Sequence, residues 1–93
     1  MFNHNPRIVC QNGFSISVQA HAGSYCKHNE SGELTHVECG FPSTTPKTDG
    51  LRAYAELCGT DDYTETVYGF VPVEIVQAEL DAHGGILDGC LPS

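Results

Sequence analysis

The stretch Thr66-Val-Tyr-Gly-Phe-Val-Pro-Val-Glu-Ile-Val-Gln-Ala-Glu-Leu-Asp-Ala-His-Gly-Gly85 decides the fold. Its first six residues are dense in β-branched and aromatic side chains and carry no charge, the composition of a strand. Pro72 lacks a backbone N–H and has φ fixed near the helical value, so it suits the first position of a helix. The next eleven residues read as that helix, and Gly84 ends it because glycine turns left-handed without steric cost. On the helix, Val73, Val76, Leu80 and His83 share one face, with Glu74, Gln77 and Asp81 roughly opposite. A strand running directly into one amphipathic helix requires a sheet for the helix to cover.

Working outward from that stretch, the chain supplies the sheet. Arg7–Gln11 and Phe14–Ala22 flank Asn12-Gly13, the strongest short hairpin signal, since both turn residues must accept positive φ. Phe14, Ile16, Val18, Ala20 and Ala22 alternate with Ser15, Ser17, Gln19 and His21, as in a strand with one wet face. Residues 1–6 read as a loose tail and Gly23–Glu33 as a long loop. Leu34–Phe41 is the next strand, with Val37, Cys39 and Phe41 on one face and His36 and Glu38 on the other. Pro42–Gly50 is a turn-rich connector. Leu51–Leu57 alternates like a strand yet contains good helix formers, and reads as a short strand or irregular edge. Cys58–Tyr63 is a loop, and Ile86-Leu87 adds an edge strand. Strands therefore precede the helix. The expectation is an α+β domain over 1–93, an antiparallel sheet of three to five strands with one C-terminal helix across it.

Ninety-three residues allow one modest core, and 40 % apolar content is that of a globular chain. Twelve carboxylates against four Lys or Arg give a net charge of −8. That charge repels nucleic acid and anionic membranes at long range and attracts a basic protein surface. Five cysteines occur without a secretory signal or a membrane-length apolar run, so free thiols in a cytoplasm are expected.

Candidate chemistry is sparse. Cys26, His28, His36 and Cys39 offer metal-ligand types close in sequence, but zinc sites need paired ligands on a turn. Strand alternation sends His36 and Cys39 to opposite faces, so no metal or other cofactor is expected. Cys26 beside Lys27 and His28 lacks the oriented base that a nucleophile needs, and no enzymatic activity is expected. Glu56, Asp61, Asp62 and Glu65 cluster before the organising strand without calcium-loop spacing. His83, near the helix C-terminus, reads as a capping and packing residue.

Three blocks, Thr35–Ser43, Glu65–Val76 and Ala82–Ile86, resemble segments of small, acidic, uncharacterised proteins of bacteriophages and mobile elements. They cover under half of the chain. The resemblance implies a phage-type accessory protein acting in the bacterial cytoplasm, a class that includes anti-CRISPR proteins. It carries no functional residue across. The favoured expectation is a non-enzymatic inhibitor that competes with nucleic acid for a basic surface on a host defence protein or ribonucleoprotein. It would bind through Glu56, Asp61, Asp62, Tyr63, Glu65, Glu74 and Asp81, with Tyr63 or Tyr54 as an aromatic anchor, as a monomer or homodimer. Direct contact with nucleic acid or a membrane is not expected. The alternative is a small metal- or thiol-dependent protein using Cys26, His28, His36 and Cys39.

Overall fold

The computed structural model describes residues 5–20 and 26–92. In order these form β1 (Ile8–Cys10), β2 (Ser15–Gln19), β3 (Lys27–His28), β4 (Leu34–Gly40), α1 (Asp49–Arg52), β5 (Val67–Pro72), α2 (Val73–Ala82) and β6 (Ile86–Asp88). All pairings are antiparallel. β2 pairs with β4 at 38–40 and β3 with β4 at 34–36, so these two share one edge of β4. β5 pairs with β4 at 36, 37, 39 and 40 and takes the other edge. Six strands thus make five rows, β6–β1–β2/β3–β4–β5, in the α+β architecture expected of the sequence. β3 is the one strand concealed in a stretch read as loop; the turn 29–33 closes it onto β4, with Asn29 Oδ1 accepting from the N–H groups of Ser31 and Glu33.

The organising stretch behaves as its composition dictates, with two adjustments. β5 passes into α2 without a loop, and Pro72 is the residue before the helix, at ψ 137°, rather than its first turn. Its extended conformation and missing N–H end the strand just where helical hydrogen bonding begins. At the other end Gly84, at φ +89°, closes the helix. Its N–H bonds Asp81 O and that of Gly85 bonds Leu80 O, the paired closure that a left-handed residue permits. Val76 and Leu80 are fully buried in one cluster with Ile16, Val18, Val37 and Val71. Each such side chain contributes about 1.5–3 kcal/mol through its removal from water.

The second adjustment lies in β5. Val37 faces Val71 and Cys39 faces Tyr68, so Gly69 and Phe70 together oppose Glu38 alone. This extra residue is a β-bulge, and it resets the alternation so that Tyr68 and Val71, three apart, both point into the core. Phe70 is left outside, 42 % exposed and at φ +51°.

Other expectations are corrected by tertiary contacts. Phe41, assigned by alternation to the face of Val37 and Cys39, is exposed at φ +50°, because β4 ends at Gly40 and the backbone turns the ring outward. Gln19, assigned to the wet face, is buried under Asn5: its side chain accepts from Asn5 N–H and donates to Asn5 O. Asn5 is accordingly pinned rather than loose; residues 1–4 lie outside the described residues, as do His21, Ala22 and 23–25. Leu51–Leu57 is not a strand. Thr48 caps α1 through its hydroxyl, burying Leu51, and only Ala55 bridges to Tyr68. Among the described residues no helix is long and apolar enough to cross a membrane.

Candidate functional site

The carboxylates singled out in the sequence lie at both ends of the β5–α2 unit. Glu56, Asp61, Asp62 and Glu65 are exposed in the segment leading into Val67, while Glu74 and Asp81 are exposed on α2, beyond Pro72. A six-residue strand, about 20 Å long, separates the loop from the start of the helix, so the acids form two groups rather than one. They are not equivalent. Asp62 accepts from the hydroxyl and N–H of Thr64, and these bonds hold its carboxyl below the usual carboxylate range. Asp81 accepts from Gln77 one turn earlier. Tyr54 and Tyr63 are half-buried and pack against the core, and the carbonyl of Tyr63 receives the buried hydroxyl of Tyr68 at 2.6 Å. Both tyrosines are thus partly exposed and partly packed on the core.

All four basic residues of the chain have local occupations. Arg7 donates to Ser15 and to the carbonyl of Phe41; Lys47 donates to Ala82 O at the C-terminus of α2. Arg52 pairs with Asp49, and Lys27 lies over the ring of Phe70, 5.1 Å from its centroid. Among the described residues, Asp49–Arg52 is the only pairing of a carboxylate with Lys or Arg. None of Glu56, Asp61, Asp62, Glu65, Glu74 and Asp81 is neutralised within the described residues.

The metal-ligand types are dispersed. Cys39 is 1 % exposed in the core, where burial and the nearby Glu38 charge push its thiol up to about 12. His28 is exposed on β3 and His36 half-buried on β4. Among the described residues no three His, Cys, Asp or Glu side chains gather as a metal site.

What the sequence reading missed is a buried polar cluster. Glu79, 1 % exposed, accepts from the N–H groups of Lys47 and Thr48, from the Thr48 hydroxyl and from His83 Nε2. Burial by itself would raise this carboxyl, but the four donors outweigh it and hold it below the ordinary glutamate value. The Asn12 carbonyl oxygen is occupied by Phe14 N–H, so its amide donates to His83 Nδ1 at 2.9 Å and leaves the imidazole hydrogen on Nε2, facing Glu79. Both ring nitrogens are thereby engaged, and the ring stacks on Phe14 with centroids 3.7 Å apart. A histidine with no free lone pair is a staple between α2, α1 and the β1–β2 turn, not a base awaiting a substrate. The Glu79/His83 spacing of one helical turn was the available signal.

A second overlooked feature lies on the sheet face opposite α2. Ser17, Gln19, Glu38, Gly40, Phe41 and Val67 line a shallow cleft of about 200 Å³. Phe41 and Phe70, the only described non-glycine residues at positive φ, are both exposed. No protein-family model, curated protein or solved structure matches the chain.

Proposed function

We propose that this is a non-enzymatic binding protein whose carboxylates engage a basic surface on a partner protein or ribonucleoprotein. The observation that carries the reading is the distribution of charge: six exposed acids without a cationic partner among the described residues, on a chain whose four Lys and Arg are all occupied elsewhere. Unpaired surface carboxylates attract cationic surfaces over about 10 Å at ordinary ionic strength. Carboxylates placed where Lys and Arg would meet a phosphate backbone compete with nucleic acid for that surface. The resemblance to phage accessory proteins favours a host defence complex as the partner, with inhibition as the outcome. The saturated hydrogen bonding of His83 and Glu79 supports binding rather than catalysis.

Because Asp62 also holds Thr64, the informative variant reverses Asp61 and Glu65, whose side chains make no bond within the described residues. Host complexes captured on the immobilised protein at low salt are expected to elute below about 0.5 M salt and to be displaced by nucleic acid. Asp61→Lys with Glu65→Lys is expected to capture less while its melting profile stays that of the parent. Retention at that salt together with full capture by the double variant would overturn the electrostatic reading.

A further inference from the structure

Glu38 stands apart from the acids just described. It lies mid-strand in β4, half-buried, between Gln19 on one side and the Gly69–Phe70 bulge on the other. Among the described residues its carboxylate receives no hydrogen bond and pairs with no Lys or Arg. The nearest basic strand residue, Lys27, directs its ammonium onto Phe70 instead. Glu38 lines a cleft, and a cation entering that cleft from outside can pair with its carboxylate.

The surroundings suit such an arrival. The cleft that Glu38 lines is also lined by Gly40, Phe41 and Val67. At about 200 Å³ it is smaller than sites that enclose whole metabolites and is matched to a single side chain. Phe41 is fixed beside it in a conformation that disfavours bulky residues: its N–H donates to Thr66 O, and its carbonyl accepts from Arg7 at 2.6 Å. Strain of this kind persists where the surroundings enforce it, and it concentrates at ligand clamps. The contact of Lys27 with Phe70 shows that a ring on this face already receives a cation.

We infer that this cleft receives a cationic side chain of the partner, an arginine in preference to a lysine, with Glu38 as its counter-ion and the face of Phe41 stacked on the guanidinium. A planar, weakly hydrated guanidinium fits an aromatic wall and a carboxylate better than a compact ammonium does. The inference rests on the reading of the partner as a basic protein surface and names the residue type that would anchor it.

The test uses the whole protein and a small probe. N-acetyl-L-argininamide is titrated into the isotopically labelled protein at low salt, with the neutral isostere N-acetyl-L-citrullinamide and with the lysine analogue as comparisons. Saturable shifts of the Ser17, Glu38, Gly40 and Phe41 amides are expected with the arginine probe, weaker with lysine and absent with citrulline. Glu38→Gln, which keeps the shape, is expected to weaken binding roughly tenfold, as for loss of a charged hydrogen-bond partner. Phe41→Leu is expected to weaken it severalfold. Equal shifts with arginine and citrulline, or shifts confined to Asp61–Glu65 and unchanged by Glu38→Gln, would overturn the cleft as a cation site. Neither result bears on salt-labile capture of a partner, and failure of that capture would leave the titration standing, so the two proposals fail separately.

Discussion

His83 donates from Nε2 to Glu79 Oε2 at 2.7 Å, across one turn of α2, with both side chains almost wholly removed from water. The pair is held from both sides, by Asn12 and Phe14 on the histidine and by Lys47 and Thr48 on the glutamate. Two segments distant in sequence, the β1–β2 turn and the entry to α1, are thereby fixed to the C-terminal half of one helix.

Glu79→Gln tests this staple. The carboxylate accepts four hydrogen bonds and donates none, whereas an amide must turn its two N–H groups toward donors. At least one buried N–H is left unpaired, a cost of about 1–3 kcal/mol. Urea denaturation is expected to show that loss with an unchanged m-value; a loss below about half a kcal/mol would mean that water reaches the cluster.

Glu79 also sets an acid limit on stability. Its carboxyl titrates below the ordinary value of 4.5, so between the folded and unfolded pKa values the unfolded chain binds the proton more readily. The stabilisation is fully present above that ordinary value and is lost as pH falls through the lower folded one. Chemical denaturation across this range is expected to show the decline in the parent and a shallower one in Glu79→Gln. Parallel pH profiles would assign the acid sensitivity to other carboxylates.

Such features mark where a sequence becomes illegible. The hairpin at Asn12-Gly13, where Gly13 alone and not Asn12 takes the expected positive φ, the alternation from Phe14 to Val18 and the helix of Val76 and Leu80 are local patterns, and local physics decides them. Phe41 and Phe70 escape because period-two alternation contains neither a strand end nor a bulge, and both depend on which strand lies opposite. Leu51 alternates with Ala53 and Ala55, yet Thr48 starts a helix there, and Glu79 completes that start from 31 residues away. The acids are legible as exposed groups before and after β5. The exposed aromatic rings are not, since Tyr54 and Tyr63 are partly packed on the core while the strained Phe41 and Phe70 are exposed.

Phe70→Gly is expected to leave stability within about 1 kcal/mol of the parent. Glycine relieves a left-handed conformation that costs an L-residue about 1–2 kcal/mol, and this offsets the loss of a ring that is 42 % exposed together with its contact to Lys27. Phe14→Ala, by contrast, removes a buried ring stacked on His83 and is expected to cost about 3–5 kcal/mol. Comparable losses in thermal melts of the two variants would show that Phe70 supports the fold and that its strain needs no functional account.

The five cysteines provide a test of the core that does not depend on any substitution. None stands in a disulfide, but their surroundings differ: Cys58 and Cys90 are exposed, Cys26 is half-buried, and Cys10 and Cys39 are buried. Alkylation proceeds through the thiolate, and burial pushes Cys10 up and Cys39 to about 12, so neither supplies thiolate near neutral pH. Cys39 is further enclosed by Val18 and Tyr68, its neighbours across β2 and β5. Native alkylation at about pH 8 is therefore expected to label Cys58 and Cys90 first and Cys26 more slowly, with Cys10 and Cys39 reacting only as the protein unfolds. Mass spectrometry of the time course reads each site directly, and omitting reductant checks that no disulfide forms among them. Rapid labelling of Cys39 in the folded protein would show that the β2–β4–β5 layer opens on that timescale. The packing assigned to Val18, Val37 and Tyr68 would then be wrong, whatever the fate of the binding proposals.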